Sequence, residues 1–208
     1  MVIFLTGASG GIGLIISNTL KNAGIEVIEP TSMQLDLSKD FTVNYQVDGF
    51  IHSAGINMIR NHNELNQEEL DRIFNINTFS FLKLCNQLSF NLGSNIIALG
   101  SLYSTDTKDG RIQYTMSKHA MLGAVKTLAL EKATQRIKVN MISPGFVDTN
   151  MTRNNNTEER ISYLEKNIPL GLTDPQEIAN LCLYLIKNNN AITGQNIQID
   201  GGYTLKRL

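Results

Sequence analysis

The sequence has few of the features that mark a membrane protein, a disulfide-rich secreted protein or a nucleic-acid-binding protein. It has no tryptophan, four prolines and two cysteines, and no apolar run approaches the ~20 residues needed to span a bilayer. Its 18 basic and 19 acidic residues leave a formal net charge of −1, so charge does not favour nucleic acid or a membrane surface as a partner.

The two cysteines and three histidines do not suggest a metal site. Cys85 and Cys182 fall in helical patterns without metal-ligand spacing, which favours buried, reduced thiols in a cytoplasmic protein. No cluster of His, Asp, Glu or Cys points to a bound metal. The apolar N-terminus lacks a basic leader and runs into a glycine cluster, so it predicts a first strand rather than a signal peptide.

What the sequence does contain is an alternation of short apolar runs and longer amphipathic segments. The short runs are rich in Val and Ile and predict strands at 2–6, 26–29, 47–52, 95–100, 137–143 and 196–200. Helical patterns lie between them, at 11–23, 67–91, 113–134 and 175–188. Between Thr31 and Asp48 there is room for a brief strand around Met33–Leu37 and about one helical turn. This alternation predicts an α/β fold, a parallel sheet with helices on both faces, in a single domain over 1–208.

A glycine-rich turn follows the first predicted strand directly. In LTGASGGIG, Gly7, Gly11 and Gly13 stand between the strand and the helix. Glycines at such a turn let backbone N–H groups approach a pyrophosphate beside the positive end of the helix. Glycine strings also occur in plain strand-to-helix turns, but the position directly after an apolar strand favours dinucleotide binding.

Tyr114 and Lys118 stand four residues apart in QYTMSKHAM, so on a helix they share one face. Free tyrosine has a pKa near ~10 and lysine near ~10.4, so neither is an obvious acid or base at neutral pH. Taken alone, such a pair is typical of a solvated helix face.

With its neighbours, the pair resembles the short-chain dehydrogenase/reductase family. Ser101 precedes Tyr114 by the family's spacing of thirteen residues, and Asn77 in FNINTFSF matches the family's active-site asparagine. Nearly the whole chain carries the resemblance, in motifs that follow the family's order: TGxxxGxG from Thr6, HSAG at 52–55 in place of NNAG, the segment 138–152 with its Pro-Gly turn, and the closing segment 192–202. The resemblance implies a mostly parallel, Rossmann-like sheet of about seven strands.

The resemblance also implies hydride exchange between a nicotinamide and a carbonyl or alcohol carbon. Tyr114 would be the general acid or base at the substrate oxygen, and Ser101 would hydrogen-bond that oxygen. Lys118 would hold the nicotinamide ribose and, as a nearby cation, favour the tyrosinate. Asn77 would position a water that links Lys118 to solvent.

Cofactor contacts are expected at the residues that match the family's binding motifs. Besides Tyr114 and Lys118, these are Gly7, Ser9, Gly11, Ile12, Gly13, Thr31, Ser32, Asp36, Leu37, Ser53, Ala54, Gly55, Pro144, Gly145, Val147 and Thr149. An acid at the end of the second strand would bind the ribose hydroxyls of NAD and repel a 2′-phosphate. Thr31 and Ser32 fall at that position, and Glu29 comes too early, so NADP(H) is favoured over NAD(H).

The resemblance implies a reductase of a ketone or 3-oxoacyl thioester, since 144–180 is most similar to bacterial 3-oxoacyl-acyl-carrier-protein reductases. Two alternatives stay open: a sugar, polyol or other small-alcohol dehydrogenase of the same family, and a nucleotide-binding regulator without catalysis. Residues 146–172 would cover the substrate. A homodimer or homotetramer is expected through the helices at 67–91 and 113–134, with Met116, Met121, Leu122 and Val125 as apolar surface.

Overall fold

The computed structural model describes residues 1–154 and 156–206. Over this part of the chain, six parallel strands form one sheet in the order β2-β1-β3-β4-β5-β6. The strands are β1 (Val2–Thr6), β2 (Glu26–Ile28), β3 (Gln46–His52), β4 (Ser89–Leu99), β5 (Lys138–Pro144) and β6 (Asn196–Ile199).

Helices connect the strands and cover the sheet. They are α1 (Gly11–Asn22), α2 (Gln67–Phe74), α3 (Ser80–Gln87), α4 (Ile112–Glu131), α5 (Asn150–Asn154), α6 (Glu158–Asn167), α7 (Pro175–Asn188) and α8 (Tyr203–Lys206). A π-helical turn (Asn75–Phe79) joins α2 to α3, and single 3₁₀ turns lie at His62–Glu64, Leu102–Ser104 and Ala133–Gln135. In the described residues, no helix is both long and apolar enough to cross a membrane.

Each face of the sheet has its own apolar core because successive strand residues point to opposite faces. Phe4 and Phe50 pack on one face against α3 and α4, whereas Ile3 and Ile51 pack on the other against α1 and α7. The predicted α/β class, with helices on both faces of a parallel sheet, is therefore confirmed. Cys85 and Cys182 are buried free thiols, one in each core.

The structure differs from the prediction between Thr31 and Asp48. Turns replace the brief strand around Met33–Leu37, and Met33 is 94% exposed. The described sheet therefore has six strands rather than about seven. Leu35 and Leu37 still pack against the core from this turn segment, so their burial does not require strand pairing.

The prediction of a helix over 67–91 was wrong at its C-terminal end. α3 ends at Gln87, and β4 begins at Ser89 and pairs with Gln46 of β3. Pairing between β3 and β4 is interrupted after Val47 and resumes at Gly49 and Asn95. Gly93, with a φ of +80°, turns the chain within this bulge. Long-range pairing thus overrides the local helical pattern of these residues.

Candidate active site

A cleft of about 1140 Å³ opens where β1, β3, β4 and β5 end. Parallel strands end at a common sheet edge, and strand order reverses between β1 and β3, which is where α/β sheets bind ligands. The cleft is lined by the glycine turn after β1, by Ser53–Gly55 after β3 and by Leu99 at the end of β4.

The glycine turn brings backbone close to backbone. A Cβ on Gly7 would lie 2.6 Å from the Ala54 nitrogen, and one on Gly13 would lie 2.0 Å from the Gly7 carbonyl oxygen. Gly7 and Gly11 also have φ values of +74° and +53°, which favour glycine. The first turn of α1 has no side-chain cap and no acid, so its N–H groups fit a pyrophosphate.

Most of the residues predicted to contact the cofactor line this cleft. They are Gly7, Ser9, Gly11, Ile12, Gly13, Ser32, Asp36, Leu37, Ser53, Ala54, Gly55, Tyr114, Lys118, Pro144 and Thr149. The lining also includes Asn57, Glu68 and Arg72, which the sequence reasoning missed. Arg72 follows Glu68 by four residues on α2, a spacing that gave no sign of a ligand.

Three predicted contact residues do not line the cleft. The Thr31 hydroxyl and amide both donate to Gln34 Oε1, at 3.1 and 2.9 Å. Gly145 lies against Asp200, to which a Cβ would come within 2.7 Å. The Val147 side chain is buried in the core shared with α1 and α7. The backbone bridge between Val147 and Thr173 is formed by the Phe146 oxygen and the Asp148 nitrogen. The N–H and C=O groups of Val147 are not used in that bridge.

Acidic groups around the end of β2 are engaged within the protein. Burial would raise the pKa of Glu29, but hydrogen bonds from Lys21 and Ser17 of α1 outweigh it and lower the pKa. Hydrogen bonds from Ser38, followed by contact with Lys39, lower the pKa of Asp36. Glu29 therefore faces α1.

Tyr114 and Lys118 lie on α4, beside the ends of β3 and β4. Lys118 Nζ donates to the Leu99 carbonyl at 2.7 Å and lies 5.6 Å from the Tyr114 ring centroid. Burial lowers the pKa of Lys118 to about 7. Ser101 caps the Leu102–Ser104 turn, and its Oγ accepts from the Tyr103 nitrogen at 3.3 Å. The structure thus brings the predicted Ser, Tyr and Lys together.

The expected effect of Lys118, as a cation that favours the Tyr114 tyrosinate, stays a prediction. Burial raises the pKa of Tyr114, and a hydrogen bond with Ser101 opposes that rise. The Tyr103 ring packs edge-on against Tyr114, with centroids 6.2 Å apart, and adds to the pKa rise. Desolvation of the buried phenol is the largest contribution to this rise, and burial likewise disfavours the charged form of Lys118.

Asn77 uses its whole amide within the protein. It is buried in the π-helical turn, where Oδ1 accepts from the Ile56 nitrogen at 2.9 Å. Nδ2 donates to the Ile56 oxygen and to Ser117 Oγ, each at 3.0 Å. The side chain clamps the segment after Gly55, and its role in positioning a water stays a prediction.

His52 ends β3, as the sequence indicated, and also links the glycine turn to the π-helical turn. Its Nε2 lies 3.2 Å from the Ile76 oxygen and its Nδ1 lies 2.9 Å from Thr6 Oγ1. A carbonyl only accepts, so Nε2 carries the hydrogen and Nδ1 accepts from Thr6. Burial, with nearby Lys118, lowers the pKa of His52 to about 3. No motif in the sequence indicated this bridge.

The described residues contain no group of three or more His, Cys, Asp or Glu side chains that could hold a metal ion. The doubly wound sheet, the glycine turn and the adjoining Tyr–Lys pair define a class: nicotinamide-dependent oxidoreductases.

Comparison with known proteins identifies the family within that class. The family model described as enoyl-(acyl carrier protein) reductase matches residues 36–204. A 3-oxoacyl-acyl-carrier-protein reductase of Buchnera aphidicola subsp. Baizongia pistaciae is 34% identical, over 90% of this chain and 80% of its own. The chain belongs to the short-chain dehydrogenase/reductase family.

Solved structures agree with this assignment. A short chain dehydrogenase family protein from Francisella tularensis subsp. tularensis SCHU S4 superposes with a TM-score of 0.81 at 30% identity, covering 98% of each chain. A 4-hydroxyisoleucine dehydrogenase complexed with NADH gives a TM-score of 0.83 at 26% identity, also over 98% of each chain. The protein is an NAD(P)-dependent oxidoreductase that acts on CH–OH and C=O groups.

Proposed function

We propose that the protein reduces the keto group of a 3-oxoacyl thioester or a related ketone with NADPH. The observation that carries this proposal is the Ser101–Tyr114–Lys118 group at the end of β4, beside the cleft with the glycine turn. Similarity to the Buchnera 3-oxoacyl-acyl-carrier-protein reductase supports the thioester as substrate.

The protein's residues fit a dinucleotide, and the nicotinamide supplies the hydride when it is bound. Tyr114 gives its phenolic proton to the carbonyl oxygen as that oxygen gains charge. Ser101, which hydrogen-bonds Tyr114, donates to the same oxygen and holds it in place. Lys118 holds ribose hydroxyls through its ammonium group, and Asn77 keeps the floor of the cleft rigid through Ile56.

The preference for NADPH is supported by the absence of a free acid at the end of β2. Ser32 lines the cleft there, and Glu29 is turned toward Lys21 and Ser17. A 2′-phosphate would therefore meet hydroxyl groups rather than a carboxylate. The family neighbour with NADH bound shows that the same fold also accepts the other cofactor.

A second candidate is a dehydrogenase of a small alcohol. Similarity to 4-hydroxyisoleucine dehydrogenase favours it, at 26% identity over 98% of each chain. The third possibility is a nucleotide-binding regulator without catalysis. The presence of Ser101, Tyr114 and Lys118 argues against it, because a regulator does not need these catalytic groups. The segment 146–172, with α5 and α6, would cover the substrate in each case.

The decisive experiment is a carbonyl panel with Tyr114→Phe. We expect the wild-type protein to oxidise NADPH faster than NADH with 3-oxoacyl thioesters and ketones. Tyr114→Phe should lose roughly 10²–10⁴-fold in kcat, the usual contribution of a general acid. Tyr103→Phe is the matched control, because its ring packs against Tyr114, and it should retain activity. Survival of activity in Tyr114→Phe would show that the catalytic assignment is wrong.

Assembly as a homodimer or homotetramer in the cytoplasm is also part of the proposal. Of the apolar residues expected on α4, Met121, Leu122 and Val125 are buried in the protein's own core, so only Met116, at 47% exposed, is a surface residue. Phe79 and Leu82 add exposed apolar area beside α3. Light scattering on the double variant Met116→Glu/Leu82→Glu would test assembly through these exposed residues. Two added carboxylates in an apolar interface should shift an oligomer toward monomers.

A further inference from the structure

Buried polar atoms without a hydrogen-bond partner occur in the residues that flank Tyr114 in the sequence and at Asn57, which lines the cleft. Within residues 1–154 and 156–206 they are Asn57 Oδ1, Arg111 Nη1, Thr115 Oγ1 and both amide atoms of Gln113. Gln113 is only 1% exposed. Buried polar groups in native proteins are almost always paired, so these atoms call for partners such as a ligand or ordered water.

The backbone brings these atoms together. The Arg60 nitrogen donates to the Gly110 oxygen at 3.0 Å, and Arg60 and Arg111 form a parallel bridge. The segment that follows Ser53–Gly55 thus lies against the start of α4. Arg111 precedes that helix and stands three residues before Tyr114, about one helical turn away.

The two bridged arginines differ in what holds their side chains. Arg60 forms a bidentate salt bridge with Glu69, in which Nη2 donates to Oε1 at 3.0 Å and Nε donates to Oε2 at 3.2 Å. Arg111 has no such carboxylate in the part of the chain that the structure describes, and its Nη1 is buried. A buried guanidinium nitrogen without a partner is costly unless something binds it.

Two further cations, Lys108 and Arg160, interact electrostatically with the same groups, and the Arg111 nitrogen donates to the Lys108 oxygen at 3.2 Å. Burial, then Arg160 and Arg111, lowers the pKa of Lys108. Arg111 and Arg160 act on the Tyr103 phenol to lower its pKa, and the carboxylate of Asp106 acts on it in the opposite direction. Arg160 comes from α6, where it stacks on the Tyr163 ring at 4.9 Å. Among described residues, no salt bridge joins any of the three to a carboxylate. Lys108, Arg111, Arg160 and Asp106 together carry a net positive charge, which favours a bound anion.

We propose that the substrate carries a compact anionic group, which the Arg111 guanidinium binds one turn away from Tyr114 with help from Arg160 and Lys108. This inference rests on the proposed function, because it assigns the part of the substrate that lies beyond the reacting carbonyl. A guanidinium pairs its planar N–H groups with the oxygens of a carboxylate or a phosphate. The two sources are a small oxo acid and a phosphate-bearing thioester carrier.

The test compares substrates matched except for charge. A short oxo acid is assayed against its methyl ester, and a 3-oxoacyl coenzyme A thioester against the uncharged N-acetylcysteamine thioester. The wild-type protein should prefer at least one anionic member by about tenfold or more in kcat/KM, as charged hydrogen bonds allow. The pair that shows the preference identifies the source of the anion.

Variants tie the preference to the residue. Arg111→Gln should raise KM for the anionic substrate about tenfold or more relative to its neutral partner, while Arg111→Lys should recover part of the loss. Arg136→Gln is the matched control, because Arg136 lies on an exposed turn before β5, at the opposite edge of the sheet. Arg160→Gln should weaken the same preference to a smaller extent.

A binding measurement separates this inference from the proposed function. Calorimetric titration with succinate, a dicarboxylate that the enzyme does not reduce, should detect binding to wild-type protein and a tenfold or greater loss in Arg111→Gln. Equal use of charged and neutral substrates, or equal succinate binding by both proteins, would overturn the inference and leave the reductase assignment intact. Carbonyl reduction that survives Tyr114→Phe would overturn the reductase assignment instead.

Discussion

The most informative single substitution is Asn77→Ala, because it separates a structural role for this asparagine from a catalytic one. The substitution removes three hydrogen bonds in one step, two to the backbone of Ile56 and one to Ser117 Oγ. Ser117 keeps its bond to the Tyr114 oxygen at 2.8 Å, so the main loss is at Ile56.

The size of the effect follows from these contacts. A buried backbone group left without a partner costs roughly 1–3 kcal/mol, and two such groups at Ile56 give about 2–6 kcal/mol. Ile56 is only partly buried and lines the cleft, so water can reach it and the lower half of that range applies. We expect a loss of about 3 kcal/mol, a large share of the ~5–15 kcal/mol that stabilises a typical domain.

Urea unfolding followed by circular dichroism would measure this loss at one protein concentration, because concentration affects the apparent stability of an oligomer. Asn75→Ala is the control from the same π-helical turn. It removes a single hydrogen bond, from Nδ2 to the Ser38 oxygen, and should cost about 1 kcal/mol or less. A loss of unfolding free energy below about 1 kcal/mol in Asn77→Ala, or one equal to that of Asn75→Ala, would refute the structural role of Asn77. A fall in kcat at unchanged stability would favour the water-positioning role.

The other predictions concern His52 and the glycine turn. Burial lowers the pKa of His52 from 6.5 to about 3, so between these values the unfolded chain takes up a proton that the folded protein does not. Stability should therefore fall as pH drops from 6.5 toward 3, by up to ~1.4 kcal/mol per pH unit from this group. His52→Asn should make urea unfolding less pH-dependent over this window, and parallel curves for the two proteins would contradict the prediction. Gly13→Ala would place Cβ 2.0 Å from the Gly7 oxygen and should abolish binding in a fluorescence titration with NADPH. Gly123→Ala, on α4 and outside the cleft lining, meets nothing within 4 Å and should bind normally, so equal binding by both variants would show that the turn is not packed as described.

The sequence predicted the features that depend on local order. Apolar runs of strand length, separated by amphipathic segments, predicted the parallel sheet because each pattern has its own period. α7 has the bounds 175–188 that the sequence indicated, since Asp174 caps it and Pro175 favours its first turn. The glycine turn was equally readable, because a positive φ and a backbone contact permit little else than glycine there.

Only the tertiary structure decided how side chains far apart in the chain meet. β4 displaced the predicted helix end because Ser89 and Phe90 pair with residues of β3, more than forty positions away. The Tyr114 pKa lies above its ordinary value because burial by the whole fold outweighs Ser101. Arg111 belongs to no sequence motif, and its surroundings become visible only once the segment after β3 lies against the start of α4. Local spacing thus determined the fold class and the residues of the candidate site, whereas desolvation and long-range contacts, which no local pattern encodes, decided their charges and partners.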